Sequence, residues 1–253
     1  MFAPSAPQVA NDPQYRKRWR KPKLRPEFFC SDADGNLIVV SHCNVNTYDS
    51  RTGRFLRRIG PFKVTPNSVV VDYKGVFYIA VHRTLYIACL PWVKFGFTIL
   101  SLALRKDHLV LYVAHYDGVM EVSTSTGTVQ REHYPHCSPL EIAVLSTNEI
   151  VILCRFHALL LFDPLFGYKG RIDLMTVHME CQISVDANNY VYVSSCNNYI
   201  DVFDLRRFSY VGKIGFHGTG PGQFSSFPRA MTVLPSGALV VGAMQKRTVQ
   251  FFR

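Results

Sequence analysis

Short apolar runs recur along residues 26–253 with a period of about forty residues. Val, Ile, Tyr and Phe fill these runs, and Gly, Asn, Asp or Pro separates one run from the next. Such alternation is typical of short β-strands joined by tight turns. No stretch keeps the apolar period of about 3.6 residues that marks an amphipathic helix. The sequence therefore predicts an all-β protein with almost no helix.

The last period displays the repeating unit most clearly. A glycine-rich segment at 216–224 leads to Pro228, and a turn at 235–237 precedes the apolar runs 238–244 and 248–252. The equivalent turn falls at positions 35, 75, about 107, 148 and 188, which gives six units. One such unit cannot bury its apolar face alone, and an array of short strands closes best as a propeller. We therefore predict a six-bladed β-propeller of four-stranded antiparallel blades.

The two ends of the chain are expected to meet in one blade. The sixth unit ends after its third strand, at 252–253, so its outer strand must come from elsewhere. The spare segment lies around residues 15–19, where Trp19 favours a docked strand over a free tail. Pairing there closes the ring and removes an exposed strand edge. The predicted organisation is a basic N-terminal arm, 1–25, part of which is the closing strand, followed by the propeller, 26–253.

The glycine-rich segment also carries a family resemblance. Residues 214–224, Ile-Gly-Phe-His-Gly-Thr-Gly-Pro-Gly-Gln-Phe, together with Pro228, resemble the NHL repeat. The first and fifth units match the repeat well, and the third and fourth are degenerate. The resemblance covers 26–253 and implies the propeller fold, which hosts unrelated functions. In NHL propellers of the tripartite-motif class, the loops between the second and third strands line the RNA-binding face.

Those loops therefore supply the candidate binding residues. The family's usual Asp at the head of the loop is replaced by His in the first three units. Imidazoles, amides, aromatic rings and guanidiniums on one rim can stack on bases and donate hydrogen bonds to phosphates. The candidate RNA- or partner-binding residues are His42, Asn44, His82, Arg83, His115, Tyr116, Arg155, Phe156, His157, Asn197, Asn198, Gln245, Lys246 and Arg247.

The net charge of +10 is concentrated at the N-terminus. Residues 1–25 contain one acidic residue, Asp12, and seven basic residues: Arg16, Lys17, Arg18, Arg20, Lys21, Lys23 and Arg25. Such an arm is typical of a solvated tail or a localisation signal, and alternatively of an electrostatic handle for nucleic acid. The sequence predicts a recognition module that binds single-stranded RNA through its basic and aromatic rim.

A protein-interaction scaffold is the alternative, because a rim rich in Tyr, Phe and Arg also suits a protein partner. Relatives of the tripartite-motif class often carry a RING, a B-box and a coiled coil ahead of the propeller and act as ubiquitin ligases. This sequence has neither the Cys/His spacing of a zinc module nor a heptad run, so ligase activity by the chain alone is not expected. Under this alternative, the protein is a scaffold that recruits substrates to a ubiquitin-ligase-type assembly.

Catalytic, metal and cofactor sites are less well supported by the sequence. NHL-like propellers include peptide-amidating lyases, which are secreted and disulfide-stabilised, and no Ser/His/Asp grouping is readable here. Histidines on different blades are too far apart for a zinc ion with ligands at about 2.0–2.1 Å. The loop 218–222 mimics a phosphate-binding glycine loop, but no helix follows it. We predict a non-enzymatic protein without cofactor or metal, with a lyase- or hydrolase-type propeller as the least favoured alternative.

Seven cysteines form no Cys-x-x-Cys pair and mostly lie in or beside apolar runs, where cysteine behaves as a small hydrophobic residue. They are predicted to be free thiols, which favours a cytoplasmic protein. No apolar run approaches the length of about 18 residues that a transmembrane helix needs. The first residues also lack the pattern of a secretory signal. No membrane partner is predicted.

Overall fold

The computed structural model describes residues 17–20, 26–155, 158–175, 181–194, 198–243 and 248–252. These residues form strands, turns and bends, with no helix among them and hence none that could cross a membrane. The strands assemble into six four-stranded antiparallel sheets, arranged as the blades of a β-propeller. The predicted fold class is confirmed.

The strands are numbered in chain order, and the blades are numbered 1 to 6 in the order of their inner strands. The closing strand is β1 (Lys17–Arg20). Blade 1 contains β2 (Phe28–Ser31), β3 (Leu37–Ser41), β4 (Asn44–Tyr48) and β5 (Phe55–Ile59), and blade 2 contains β6 (Ser68–Val71), β7 (Phe77–Val81), β8 (Thr84–Ile87) and β9 (Leu90–Lys94). Blade 3 contains β10 (Ser101–Leu104), β11 (Val110–His115), β12 (Gly118–Ser123) and β13 (Val129–His133).

The second half of the chain repeats this arrangement. Blade 4 contains β14 (Pro139–Val144), β15 (Ile150–Cys154), β16 (Ala158–Phe162) and β17 (Tyr168–Asp173), and blade 5 contains β18 (Ile183–Val185), β19 (Tyr190–Ser194), β20 (Ile200–Asp204) and β21 (Ser209–Ile214). The short strands β22 (Phe216–His217) and β23 (Gln223–Phe224) pair in parallel within the link to the last blade. Blade 6 contains β24 (Ala230–Val233), β25 (Leu239–Ala243) and β26 (Thr248–Phe252).

The N-terminal strand closes the ring. β1 pairs antiparallel with β26, so that Lys17 lies opposite Phe251 and Arg20 lies opposite Thr248. The strand order of blade 6 is therefore β24-β25-β26-β1, and β24 also lies against β2 of blade 1. The predicted closure is confirmed, with the strand at 17–20 rather than around 15–19. The side chain of Trp19 lies outside what the structure describes, so its burial stays a prediction.

A residue with left-handed backbone ends the turn between the first two strands of every blade. Its N–H donates to the carbonyl three residues earlier, and its φ lies between 59° and 79°. Gly and Asn adopt this conformation at lower cost than most residues, which explains their recurrence in the sequence. The positions are Gly35, Gly75, His108, Asn148, Asn189 and Gly237. The predicted turns agree with these positions to within one residue.

Aspartates at the start of three of these turns are structural. Asp72 Oδ1 accepts the backbone N–H groups of Lys74 and Val76 at 2.8 and 2.9 Å. Asp32 and Asp186 cap the equivalent turns of blades 1 and 5. Carboxylates that bond their own turn are common loop residues, so their recurrence reflects folding.

The hydrophobic core is divided into six clusters, one at each interface between neighbouring blades. Leu85 of blade 2 packs with Leu111 of blade 3, and Phe29 of blade 1 packs with Phe251 of blade 6. Each blade is thus buried on both faces by its neighbours. Because the apolar faces have no other cover, the stable form is the closed ring.

Polar side chains also link each inner strand to the next. Ser68 Oγ of β6 accepts the backbone N–H of Leu102 in β10 at 3.1 Å. Ser101, Glu141 and Ser184 make the equivalent bonds from blades 3, 4 and 5 to the following blade. These bonds satisfy backbone donors of the inner strands and fix the spacing of the blades around the central channel.

Strand direction divides the loops between two faces. The loops between the second and third strands emerge on the same face as the segments that link one blade to the next, because the blades are antiparallel. We call this the rim face. The loops between the first and second strands, and between the third and fourth, form the opposite face.

A disulfide joins Cys137 and Cys154. Cys154 ends β15, Cys137 lies two residues before the first residue of β14, and the pairing of these two strands brings the cysteines together. The expectation of seven free thiols is therefore wrong for this pair, because a separation of 17 residues in the sequence conceals contact between neighbouring strands. Cys30, Cys43 and Cys89 carry free thiols.

Removing residues 1–25 deletes β1 and leaves β26 as an unpaired edge. We expect the free energy of unfolding to fall by several kcal/mol, because strand pairing and apolar burial are lost together. Urea unfolding followed by circular dichroism measures the loss. Removal of residues 1–12 is the control, since β1 begins at Lys17. An unchanged unfolding midpoint after the longer deletion contradicts the role of β1.

Replacing both Cys137 and Cys154 by alanine should lower the free energy of unfolding by about 3 kcal/mol, the loss typical for a disulfide that closes a loop of this length. A reductant should lower the unfolding midpoint of the natural protein and leave that of the double variant unchanged. Cys89→Ala, at an exposed free thiol, is the control. Full reaction of Cys137 and Cys154 with an alkylating reagent in the absence of reductant excludes the disulfide.

Candidate functional site

Strand register decides which residues occupy the hairpin loops of the rim face. In blades 1 and 2 the loop begins with His42 and His82. In blade 3, His115 still pairs with Gly118 across the hairpin, so the loop begins with Tyr116. The expectation that the three histidines occupy equivalent positions is wrong, because β11 continues one residue further than β3 and β7.

Side chains that precede the inner strands hold the first two loops. The N–H of His42 donates to Glu27 Oε1 at 3.3 Å, and the N–H of His82 donates to Asn67 Oδ1 at 3.4 Å. Both histidines have left-handed φ, 52° and 54°, and both side chains are exposed. Asn44, which follows the first loop, is half-buried. These bonds hold the backbone of the two loops, and the imidazoles of His42 and His82 remain exposed to solvent.

His115 lies beneath the rim rather than on it. Its exposed fraction is 6%, and its ring stacks on Phe97 with centroids 4.0 Å apart and planes 22° apart. Its Nδ1 accepts the backbone N–H of Asp117 at 3.4 Å. Burial lowers the pKa of His115, against the opposing effect of Asp117 and Glu132. The residue supports the loop that presents Tyr116.

The remaining candidates differ in exposure. Arg83 and Arg155 are exposed, and Tyr116 has an exposed fraction of 38%. Asn198 is half-buried, and its Nδ2 lies 2.5 Å from Nδ1 of His217 in the link to blade 6. The candidates Phe156, His157, Asn197, Gln245, Lys246 and Arg247 lie outside the described residues.

The segments that link the blades were missed by the sequence reasoning. They emerge on the rim face and expose Tyr134, Phe216, Phe227 and Lys63, with 60% of Tyr134 exposed. Topology alone could have found them, because in a four-stranded antiparallel blade the link leaves from the same end as the loop between the second and third strands. The candidate face is therefore wider than the ring of hairpin loops.

The two faces differ in charge. In the described loops and links of the rim face, the acids are Glu27 and Asp117, and the Lys and Arg residues are Lys63, Arg83, Arg155 and Arg229. The described loops of the opposite face mix Lys and Arg with many acids, namely Asp32, Asp34, Asp49, Asp72, Asp107, Glu149, Asp163 and Asp186. The rim face is thus the side of the propeller better suited to a polyanion.

A cavity of about 280 Å³ opens at the centre of the rim face, at the mouth of the channel along the propeller axis. Every blade contributes to its lining, through Glu27, Asn67, Leu100, Glu141, Gln182 and Arg229 among others. Glu141 is buried, and burial raises the pKa of its carboxyl well above the ordinary value, although the N–H of Ile183 bonds to it. The sequence reasoning missed this site because it treated the first strand of each unit only as an apolar run.

The glycine-rich loop 218–222 presents no phosphate cradle. The N–H of Gly220 donates to Gln223 Oε1 at 2.8 Å, and the N–H of Gly222 donates to Gln250 Oε1 at 3.0 Å. Gln250 Nε2 in turn donates to the carbonyl of Gln223 at 3.0 Å. The N–H groups of Gly220 and Gly222 thus bond to side chains of the protein itself, and the loop attaches the link to blade 6.

A histidine–carboxylate pair lies elsewhere, between blades 3 and 4. His133 Nε2 is 2.7 Å from Glu121 Oε1, and the His133 ring stacks on Phe166 at 3.6 Å. Neither His133 nor Glu121 lines the central cavity. In the part of the chain that the structure describes, no three His, Cys, Asp or Glu side chains come together as metal ligands.

Comparison with protein-family models and with curated proteins finds no match for this chain. The six-bladed propeller is a finding of the structure, whereas the NHL assignment stays a prediction from the sequence.

Stability should depend on pH through His115. Because its pKa is lowered in the folded protein, the folded state resists protonation, and stability is lost as pH falls below about 6.5, where the unfolded chain takes up the proton. His115→Phe keeps a ring against Phe97 and removes the titration. We expect the variant to lose less of its melting temperature on acidification than the natural protein. His82→Asn, at an exposed imidazole, should behave like the natural protein; identical pH profiles for all three proteins exclude a role for His115.

Proposed function

We propose that this protein is a non-catalytic recognition module that binds single-stranded RNA across its rim face. The difference in charge between the two faces is the observation that carries the proposal. Lys63, Arg83 and Arg155 are exposed on a face whose described loops hold few acids. Neutralised phosphates release counterions, so cations spread over one face provide affinity for a nucleic acid backbone.

Exposed aromatic rings between these cations favour single strands. Tyr116, Tyr134, Phe216 and Phe227 offer flat surfaces on which unpaired bases can stack. Duplex RNA hides its bases in a deep, narrow groove that side chains on a flat rim cannot enter. The basic residues of the N-terminal arm, which is anchored beside the ring through β1, add positive charge for the same ligand.

The resemblance to NHL propellers of the tripartite-motif class supports the same face, since their RNA-binding loops correspond to these hairpins. We keep the assignment to that family as part of the proposal. A cytoplasmic location belongs to the proposal as well, although the Cys137–Cys154 disulfide removes the argument from free thiols, because disulfides are rare in the cytosol.

A protein-interaction scaffold, such as a substrate-recruiting module, is the second candidate. Met175 has an exposed fraction of 97%, and Val64 is also exposed, on links of the same face. Apolar side chains that face solvent beside aromatic rings and arginines suit the core of a protein interface. The two candidates share the surface and differ in their dependence on salt.

Rim substitutions should weaken the binding of single-stranded RNA. Tyr116→Ala should cost about 1–3 kcal/mol through lost base stacking. Arg83→Ala should lower the affinity and reduce the log–log salt slope by about 0.7, the contribution of one phosphate contact on a single strand. The measurement is a titration with a random single-stranded RNA pool at two salt concentrations.

Matched controls lie on the opposite face. Tyr73→Ala removes a ring that is even more exposed, 60% against 38% for Tyr116, and Arg51→Ala removes another exposed cation; neither should change the affinity. RNA binding no tighter than heparin binding, or rim variants that bind like the natural protein, refutes the RNA proposal and puts the scaffold first.

A further inference from the structure

The mouth of the central channel combines a cavity with carboxyl oxygens that the fold does not use. Glu27 of blade 1 and Glu141 of blade 4 reach it from opposite sides of the ring. Glu141 is more than nine-tenths buried, with an exposed fraction of 6%. Its Oε2 accepts the N–H of Ile183 at 2.5 Å, and its Oε1 has no hydrogen bond among the described residues. A carboxyl oxygen at the mouth of a cavity can accept a hydrogen bond from a ligand that enters it.

The neutral amides of the same mouth are already occupied. Gln182 Nε2 donates to the carbonyl of Glu27 at 3.2 Å, and Gln182 Oε1 accepts the N–H of Met231 at 3.2 Å. Asn67 likewise uses both its oxygen and its nitrogen within blade 2 and its link. Of the carboxyl and amide groups at the mouth, the carboxyl oxygens are therefore the acceptors left for a ligand, and they favour a ligand rich in hydrogen-bond donors.

Part of the wall around these carboxyls is apolar. Phe28, Pro66, Leu100 and Leu140 supply that part, and Tyr116 also lines the cavity. Such a wall packs well against a methylene chain, and a phenol ring attracts a cation placed over its face. We infer that the channel mouth binds an ammonium or guanidinium group at the end of a methylene chain, of the lysine or arginine type, between Glu27 and Glu141. This site does not depend on RNA binding at the rim.

Binding of the cation is coupled to proton release. Burial raises the pKa of the Glu141 carboxyl well above its usual value, so the empty site favours the neutral carboxyl. The other charged or titratable groups that line the cavity are Glu27, Arg229, Tyr116 and Cys181. When an ammonium group enters, the proton leaves Glu141 for solvent and the carboxylate pairs with the cation. Affinity therefore rises with pH, by up to about tenfold per pH unit below the pKa.

The carboxylate of Glu27 at the same mouth repels phosphate. An RNA backbone that follows Lys63, Arg83 and Arg155 is therefore expected to pass around the channel mouth rather than across it. The central site and the surrounding rim are thus complementary to ligands of opposite charge.

Calorimetric titration of the full chain tests the inference. The probes are Nα-acetyl-lysine amide, Nα-acetyl-arginine amide, spermidine and the uncharged Nα,Nε-diacetyl-lysine amide, at about pH 6 and about pH 8. We expect at least one charged probe to bind, about tenfold or more tightly at the higher pH, with proton release, and the uncharged probe not to bind. Tighter binding of the amino-acid probes assigns the site to a polypeptide partner. Tighter binding of spermidine assigns it to a free polyamine.

Two variants separate binding from folding. Glu141→Gln keeps an oxygen for the N–H of Ile183, so the bond between blades is preserved, and it should weaken the cation about tenfold or more and abolish the pH dependence. Glu27→Gln should weaken binding and leave the pH dependence intact. Glu132→Gln, at an exposed carboxyl on β13, is the control, and melting temperatures verify that each variant is folded.

The inference is overturned if Glu141→Gln binds the cation like the natural protein, if the uncharged probe binds as well as the charged ones, or if no charged probe binds. Preferential binding of cytidine, an uncharged donor, also overturns it in favour of an RNA base. A parallel RNA titration keeps the two proposals distinct. Loss of RNA binding with an intact cation site refutes the RNA function alone, and the reverse result refutes the cation site alone.

Discussion

Burial between neighbouring blades is the interaction on which the rest of this structure depends. Each blade has two apolar faces and only its neighbours to cover them, so the fold requires a closed ring. Closure is made by β1 on β26 at the outside and by β24 against β2 at the inside. The central channel exists only because the ring closes. The residues at its mouth, from Glu27 of blade 1 to Arg229 of blade 6, are brought together by the same event.

The inner strands show how a structural position can acquire a second role. Ser68, Ser101 and Ser184 each accept a backbone N–H from the next blade and have no further acceptor group. Glu141 makes the equivalent bond with one carboxyl oxygen and brings a second oxygen into the channel. A serine suffices for the link between blades. The proposed cation site therefore rests on what a glutamate adds at this position: a buried carboxyl with a raised pKa and a second oxygen that can accept a hydrogen bond.

The fold could be predicted from the sequence because its determinants are local and repeated. The left-handed turn at Gly35, Gly75 and Gly237 favours glycine, and the missing strand of the sixth unit pointed to the N-terminus. The site could be predicted only in part. Whether His115 or Tyr116 reaches the surface depends on one residue of strand length, which apolar periodicity does not register. The Cys137–Cys154 pair and the Glu27–Glu141 mouth depend on contacts between strands far apart in the sequence.

The central functional claim is that the rim face, and not the opposite face, receives the ligand. Hydrogen exchange of the backbone amides, with and without a single-stranded RNA pool, tests it most directly. We expect slower exchange at 63–67, 82–83 and 134–138, the hairpin loop and links that carry exposed cations and aromatic rings. We expect no change at 49–53 and 163–167 on the opposite face. Protection confined to the opposite face, or absent from both faces at saturating RNA, contradicts binding at the rim face.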